Sequence, residues 1–192
     1  YSGLIYDGAF SEHMTSVEKK GLTGDDIDEE KAKNIVKEFY GEDKIENINS
    51  NGYSENAEIP SFDFSVKMKE SDITATISIA KKGGHVIFAN YNKTVNAETI
   101  SQEKADEIGK QFLDAHGYKD MKETYYLKQN GVVTINYAYS QTAQNGEKVV
   151  IYPDLIKLKV ALDDGSVLGI ETTGYLNSHH TRDIATNLIT KE

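Results

Sequence analysis

Apolar residues recur every three or four positions in two stretches of the chain, and this spacing predicts two amphipathic helices. The apolar positions are Ala32, Ile35, Val36 and Phe39 in the first stretch, and Ala105, Ile108 and Phe112 in the second. Asp28 and Ser101 precede them as helix N-caps, because their side chains can accept hydrogen bonds from free backbone amides. Gly41 and Gly117 follow the two stretches and are predicted to end the helices. The second helix therefore repeats the first after 105 − 32 = 73 positions.

Strict alternation of apolar and polar residues follows each helix and predicts β-strands with one solvent-exposed face. The apolar positions are Phe62, Phe64, Val66, Met68, Ile73, Ala75, Ile77 and Ile79 after the first helix, and Val133, Ile135, Tyr137, Tyr139, Ile156, Leu158, Val160 and Leu162 after the second. The turn signals Lys81-Lys82-Gly83-Gly84 and Asp163-Asp164-Gly165-Ser166 each lead into one more strand, at 85–89 and 167–170. The pattern predicts an α+β fold, a tandem repeat of small units, each with one helix packed on an antiparallel β-meander. We expect the apolar strand positions to be buried under the helices.

A repeated phrase sets the predicted domain boundaries. Ile27-Asp28-Glu29-Glu30-Lys31-Ala32 returns as Ile100-Ser101-Gln102-Glu103-Lys104-Ala105, and its opening returns as Ile189-Thr190-Lys191-Glu192. We therefore expect a lead segment at 1–24, unit 1 at 25–97, unit 2 at 98–178, and a linker with the truncated start of a third unit at 179–192. Units of roughly 75 residues are near the lower size limit for an independent hydrophobic core, so we expect the two units to pack against each other. Duplication of a small unit favours binding or scaffolding over catalysis.

The second unit carries about twelve extra residues between its middle strands, within 140–155. This insertion holds the turn signal Gln144-Asn145-Gly146 and then an apolar run that Pro153 closes. One interpretation is a longer hairpin that only extends the sheet. The other is an exposed apolar arm that binds a protein partner or a second copy of the chain, as a homodimer. The predicted partner-binding residues are Val150, Ile151 and Tyr152.

Charge and composition exclude several classes of function. The chain has 21 Lys and Arg against 31 Asp and Glu, a net charge of −10 that repels phosphate backbones and anionic lipid headgroups. We therefore expect neither nucleic-acid binding nor direct membrane binding by this fragment. The absence of Cys excludes disulfides, thiolate chemistry and Cys-ligated zinc. Because the chain lacks an initiator Met and ends inside a repeated phrase, we expect a fragment, in which an upstream anchor or signal would not be visible.

Candidate catalytic and metal-binding motifs are weak. His179 and His180 with Asp183 form the only local histidine cluster, but no further metal ligand follows at a fixed spacing. The acidic run at 25–30 lacks the internal Gly and the final bidentate Glu of a calcium loop, and helix capping explains it. The chain has no nucleophile elbow, glycine-rich phosphate loop or metalloprotease helix motif. We expect no catalytic residues, cofactor or metal, although two carboxylates remote in sequence could still form a glycoside hydrolase pair.

The repeated phrases at 27–32 and 100–105, with the Leu162-Asp163-Asp164-Gly165 hairpin, resemble the PepSY domain. The opening at 4–13 and the close at 174–184 resemble the C-terminal region of the YpeB family of sporulation and germination proteins of endospore formers. The resemblance covers nearly the whole chain. It implies a tandem of PepSY domains without catalytic residues.

The resemblance also implies a place and a partner. It implies an extracytoplasmic protein at the outer face of the spore inner membrane, near the cortex, whose membrane anchor is not in this fragment. The implied partner is the cortex-lytic enzyme SleB, with each protein needed for the stable presence of the other. PepSY domains in general are associated with inhibition of peptidases or other hydrolases, so an inhibitor module is the alternative function. A cell-wall hydrolase is the remaining alternative.

Overall fold

A helix followed by four strands occurs twice in the computed structural model, which describes residues 18–184. The first set is α1 (Glu29–Tyr40), β1 (Ile45–Ser54), β2 (Ser61–Met68), β3 (Thr74–Ala80) and β4 (Val86–Asn90), with a 3-10 turn at Glu42–Lys44. The second set is α2 (Gln102–Ala115), β5 (Met121–Gln129), β6 (Val132–Thr142), β7 (Lys148–Ala161) and β8 (Val167–Glu171), and then the short helix α3 (Thr173–Ser178). Most of the predicted lead segment and the start of the predicted third unit, residues 1–17 and 185–192, lie outside the described residues.

The predicted helix ends are confirmed. Asp28 accepts a hydrogen bond from the amide of Lys31 at 2.8 Å, and Ser101 accepts one from the amide of Lys104 at 3.1 Å. Gly41, which ends α1, has a φ of 87°, a left-handed conformation that glycine adopts without steric penalty.

All eight strands form one antiparallel sheet in the order β1-β2-β3-β4-β8-β7-β6-β5. Strands β4 and β8 pair directly, with Ala89 opposite Ile170, and this pair joins the two four-stranded meanders edge to edge. The α+β class with antiparallel strands is confirmed. The boundaries 25–97 and 98–178 stay predictions.

Two strands were missed by the sequence interpretation, and both lie at the edges of the sheet. Strand β1 is rich in Asn and Ser and almost wholly exposed, so it shows no apolar alternation. In β5, Tyr125, Tyr126 and Leu127 are consecutive, which hides the two-residue period. An edge strand has a partner on one side only and depends less on burial, so its sequence carries a weaker signal.

The helices cover one face of the sheet, and the predicted burial of that face is confirmed. Phe64 is 1% exposed and Leu158 is 0% exposed. The core is continuous across the β4–β8 junction, where Phe39 of α1 meets Phe112 of α2 edge to face with ring centroids 5.8 Å apart. The opposite face carries rows of polar residues, such as Ser65, Thr76 and Asn90 on neighbouring strands.

Helix α2 approaches β6 most closely at Gly109. The fully buried Tyr137 of β6 donates a hydrogen bond from its hydroxyl to the Asp106 carboxylate at 2.8 Å, and this places the phenol oxygen against the helix backbone. A Cβ atom at position 109 would clash with that oxygen. The close approach explains a glycine in the middle of a helix, where it otherwise weakens helix formation.

We predict that Gly109→Ala destabilises the protein by about 1–3 kcal/mol, because the clash with Tyr137 outweighs the helix propensity gained. Urea denaturation of the variant measures this free energy. In a Tyr137→Phe background the oxygen is gone and the nearest ring carbon would lie 3.1 Å from the new Cβ, so the penalty should shrink. An equal penalty in both backgrounds would rule out the contact with the hydroxyl as its source.

Candidate functional site

The predicted insertion forms the outer part of the long β6–β7 hairpin. The strands pair out to Thr142 opposite Lys148, and the amide of Ala143 donates to the carbonyl of Glu147 at 2.7 Å to close the tip. Because β6 and β7 have 11 and 14 residues, against 5 in β8, the hairpin extends beyond its neighbour on that side. The insertion therefore has the backbone of a longer hairpin.

A bulge in β7 interrupts the ladder at the base of this extension. Ala138 lies opposite Leu155, whereas the next residue, Tyr139, lies opposite Ile151. The three residues of β7 between these two pairs are Tyr152, Pro153 and Asp154. A bulge redirects side chains and tolerates proline, which has no amide to donate to the ladder.

The three predicted partner-binding residues are not equally accessible. Val150 and Ile151 are half-buried and pair with Ser140 and Tyr139 on β6. Tyr152, in the bulge, is 67% exposed, more than any other large hydrophobic residue among 18–184. Tyr152 is therefore the member of this set that presents apolar area to a partner.

Asp154, the last residue of the bulge, is completely buried and holds the chain that follows α3. Its carboxylate accepts two hydrogen bonds from the Arg182 guanidinium, Nη1 to Oδ2 and Nη2 to Oδ1, each at 2.8 Å. Nδ1 of His179 lies 3.0 Å from Oδ2. A buried charge needs such partners, and the two-pronged arginine geometry is the strongest available in proteins. The hydrogen bond to Asp154 raises the pKa of Arg182.

Further contacts fix the same segment. The Arg182 guanidinium donates to the carbonyl of Ser178 at 2.9 Å and to that of His180 at 3.2 Å, and its backbone amide donates to Gln141 Oε1 at 3.0 Å. The segment 178–182 is thereby tied to both strands of the hairpin. We call the contacts of Asp154 with Arg182 and His179 the Asp154 anchor.

Aromatic packing surrounds the His179 ring. It stacks on Tyr175 of α3 at 4.2 Å and meets Tyr139 of β6 edge to face at 4.6 Å. Tyr175 in turn packs edge to face against Tyr118 at 4.9 Å. The hairpin, α3 and the loop that follows α2 therefore meet in one packed region.

Sequence reasoning missed the Asp154 anchor. The available signal was the Pro153-Asp154 step, where an acidic residue directly follows the proline that ends an apolar run. The anchor uses His179, one of the three residues weighed as a metal cluster, whereas His180 contacts the carbonyl of Ser178 at 2.8 Å. No group of three or more His, Asp or Glu side chains within residues 18–184 is placed to hold a metal ion.

A second ionisable cluster joins α2 to β5 and β6. Lys110 Nζ lies 3.2 Å from Asp106 and 2.6 Å from Glu123, and Tyr137 also donates to Asp106. Asp106 and Glu123 are a pair of carboxylates brought together from separate elements, as a glycoside hydrolase would require. One lysine, however, bridges both.

The pKa shifts in this cluster stabilise the charged forms of Lys110 and Glu123, as in a structural ion pair, rather than preparing either group for proton transfer. The hydrogen bond to Glu123 raises the pKa of Lys110. Burial acts to raise the pKa of Glu123, but the hydrogen bond and charge of Lys110 outweigh it and lower that pKa. Burial, and next the charge of Asp106, raise the pKa of Tyr126 to about 12. Glu123 is therefore ionised at neutral pH and is not poised as the protonated general acid of a hydrolase.

Helices of the described part, residues 18–184, are all too short or too polar to span a membrane.

We predict that Arg182→Gln destabilises the protein by about 2–4 kcal/mol, because it leaves the Asp154 carboxylate buried with only His179 as a partner. Replacing both residues, as Asp154→Asn with Arg182→Gln, should cost less than the sum of the single changes. Urea denaturation across this double-mutant cycle provides the measurement. The exposed Lys104–Glu107 pair is the control, and its removal should change stability by less than about 0.5 kcal/mol. Additive effects at Asp154 and Arg182 would contradict the anchor.

We predict that Lys110→Met lowers stability in a pH-dependent way. The lowered pKa of Glu123 contributes stability above its unfolded-state pKa, and this contribution disappears as pH falls through the folded-state value. The raised pKa of Lys110 contributes stability below its unfolded-state pKa, which disappears at alkaline pH. The difference between variant and wild type should therefore be largest between about pH 5 and 9 and shrink towards pH 2.

Unfolding free energies measured from about pH 2 to 11 test this dependence. Lys119→Met is the matched control, because Lys119 pairs with Asp114 at an exposed site. A difference independent of pH would show that Lys110 acts through packing of its aliphatic stem.

Comparisons with known proteins agree on one family. A family model described as YpeB sporulation, PepSY1 and PepSY2 domains, matches residues 1–185. Sporulation protein YpeB of Bacillus subtilis (strain 168) is 31% identical over 185 residues, which are 92% of this chain and 39% of that protein. Sporulation protein YpeB of Halalkalibacterium halodurans is 30% identical over 108 residues, 56% of this chain and 23% of that protein. The matched region thus spans 39% of the length of the Bacillus subtilis protein and 23% of the length of the Halalkalibacterium halodurans protein.

The fold agrees as well. A solved structure, the Bacillus megaterium YpeB C-terminal domain, superposes with a TM-score of 0.75 at 23% identity and covers 84% of this chain and 70% of that one. The chain therefore belongs to the YpeB family of sporulation proteins, in the region of its PepSY1 and PepSY2 domains.

Proposed function

We propose that this chain is a non-catalytic, protein-binding and stabilising module that acts in sporulation and germination. The observation that carries the proposal is the exposed Tyr152 on a hairpin that the buried Asp154 anchor holds in place. The relatives named as sporulation proteins supply the cellular process. The bridged carboxylates of the Lys110 cluster support a structural use of the ionisable groups.

Tyr152 has the properties of an interface anchor. Tyrosine is enriched among residues that dominate binding energy, since it combines a large apolar area with few rotatable bonds. Tyr152 lies two residues before the buried Asp154, so its ring projects from a fixed point and less entropy is lost on binding. The half-buried Val150 and Ile151 would then support the hairpin rather than form most of the contact.

The proposed partner is a cortex-lytic hydrolase, SleB, at the outer face of the spore inner membrane. The family resemblance suggests both the partner and the place. The net charge of −10 favours a partner surface that carries basic residues, because complementary charge accelerates encounter.

The two halves of the chain are, in this proposal, copies of one PepSY unit at 25–97 and 98–178. The recurrence of one helix and four strands in the same order supports this. The first copy forms its meander without the extension between 140 and 155. The extension is therefore free to serve a function that the shared scaffold does not demand.

We predict that Tyr152→Ser weakens binding to purified SleB by at least about tenfold, with the melting temperature within a few degrees of wild type. Calorimetric titration measures the affinity. Tyr53→Ser is the control, because Tyr53 is 40% exposed on β1, which lies at the opposite edge of the sheet from the hairpin. Ile151→Ser should lose thermal stability as well, since Ile151 is half-buried.

The outcomes separate the alternatives. Equal affinity of the two tyrosine variants would exclude the hairpin as the contact. If the bound hydrolase loses activity, the chain is an inhibitor module, whereas unchanged activity with a longer lifetime is expected for a stabiliser. Loss of self-association in Tyr152→Ser, without an effect on the hydrolase, would identify the hairpin as a homodimer contact. Release of muropeptides from cortex peptidoglycan by the chain alone would overturn the non-catalytic proposal.

A further inference from the structure

The two free edges of the sheet differ, although each is formed by the first strand of its set. Strand β1 pairs with β2 through two irregularities, between Ile45 and Asn47 and between Ser50 and Gly52. Its residues are mostly polar and exposed. Bulges and polar side chains are the means by which proteins keep an edge strand from pairing with another chain. The β1 edge is therefore protected against strand addition.

Strand β5, at the opposite edge, lacks this protection over most of its length. Its one irregularity lies between Glu123 and Tyr125, and from Tyr125 to Gln129 it pairs with β6 without a break. Tyr126 packs against the core, so its neighbours Tyr125 and Leu127 project from the face of the sheet that the helices leave open. The outer row of backbone amide and carbonyl groups of this run has no strand beside it within residues 18–184.

Exposed apolar area is concentrated on β5. Tyr125 is 54% exposed and Leu127 is 49% exposed, and among the exposed large hydrophobic residues of the described range they alone share a strand. An open strand edge offers main-chain hydrogen bonds to an incoming strand, and the side chains that flank it add apolar area and selectivity. The β5 edge therefore has both features of a strand-pairing surface.

The sequence of β5 favours a second copy of the same strand as the occupant. A two-fold axis through Tyr126, perpendicular to the sheet, places Tyr125 of each copy opposite Leu127 of the other. Both exposed apolar side chains of each copy are then covered by a cross-strand pair of an aromatic and an aliphatic residue. No other antiparallel register of the two strands places these residues opposite each other.

The charged residues of β5 agree with this register. Glu123 and Lys128 share the helix side of the sheet, since they lie opposite the buried Tyr137 and Val133. Lys128 of one copy falls beside the bulge of the other, next to Glu123, so opposite charges become neighbours. In the single chain Lys128 contacts Glu98 at 2.8 Å in an exposed pair, which is weak enough to exchange.

We propose that β5 pairs antiparallel with β5 of a second copy, with Tyr125 opposite Leu127, so that the two sheets join into one. A register centred on Tyr125 would instead place Lys122 opposite Lys128, and like charges directly opposite each other are unfavourable. This inference goes beyond the proposed binding of a hydrolase through Tyr152 and does not depend on it.

Sedimentation equilibrium of the full chain tests the proposal. We expect a monomer–dimer equilibrium with a dissociation constant between about 10 µM and 1 mM, because one strand pair buries less area than a standard protein interface. Leu127→Lys should weaken association by at least about tenfold, since lysine on an edge strand opposes pairing. Asn49→Lys is the matched control, because it adds the same charge at an exposed position of β1, and it should leave the dissociation constant unchanged.

Disulfide formation reports the register. The chain has no Cys, so Tyr125→Cys and Leu127→Cys each introduce a single thiol. A mixture of the two variants should form the linked heterodimer at least about tenfold faster than either variant links to itself, because only residues directly opposite each other come within disulfide distance. The other Tyr125–Leu127 pair of that heterodimer stays intact, so the association is retained.

Three results would overturn the proposal. The first is a chain that stays monomeric at about 1 mM. The second is equal weakening by Leu127→Lys and Asn49→Lys, and the third is equal disulfide rates in the mixture and in the single variants. Tyr152→Ser should associate as the wild type does; if this change alone abolished association, the hairpin and not β5 would be the contact between copies.

Discussion

The pairing of β4 with β8 is the interaction on which the rest of this structure depends. It joins two four-stranded meanders edge to edge, so that eight strands form one sheet with both helices on one face. Without it, two more strand edges would be open and the apolar residues under Phe39 and Phe112 would be partly exposed. A single helix on a four-stranded meander has little core of its own, which explains why a shared sheet is favourable.

The second half carries an addition that the shared architecture does not require. The longer β6–β7 hairpin places a bulge where Asp154 can be buried, and the charge of that carboxylate is balanced by residues that follow α3. A buried ion pair contributes little net stability compared with apolar packing, but breaking it is unfavourable. The Asp154 anchor therefore fixes one path for the chain along the hairpin, and it fixes the base from which Tyr152 projects.

The hairpin presents an exposed tyrosine on a rigid base, which suits a protein partner. Membership in the YpeB family supplies the process in which this surface would operate.

The sequence by itself determined the local elements of this protein. Helix caps at Asp28 and Ser101, apolar helix stripes, strand alternation and glycine turns all rest on contacts within a few residues, so the pattern alone predicts them. The only sign in the sequence of the bulge at Tyr152 was the end of the apolar run at Pro153. Tertiary structure decided the β4–β8 junction, the polar edge strands β1 and β5, the burial of Asp154 against Arg182, and the meeting of Asp106 with Glu123. These features join residues remote in the chain, and their energies depend on burial and partner geometry, which spacing along a sequence does not encode.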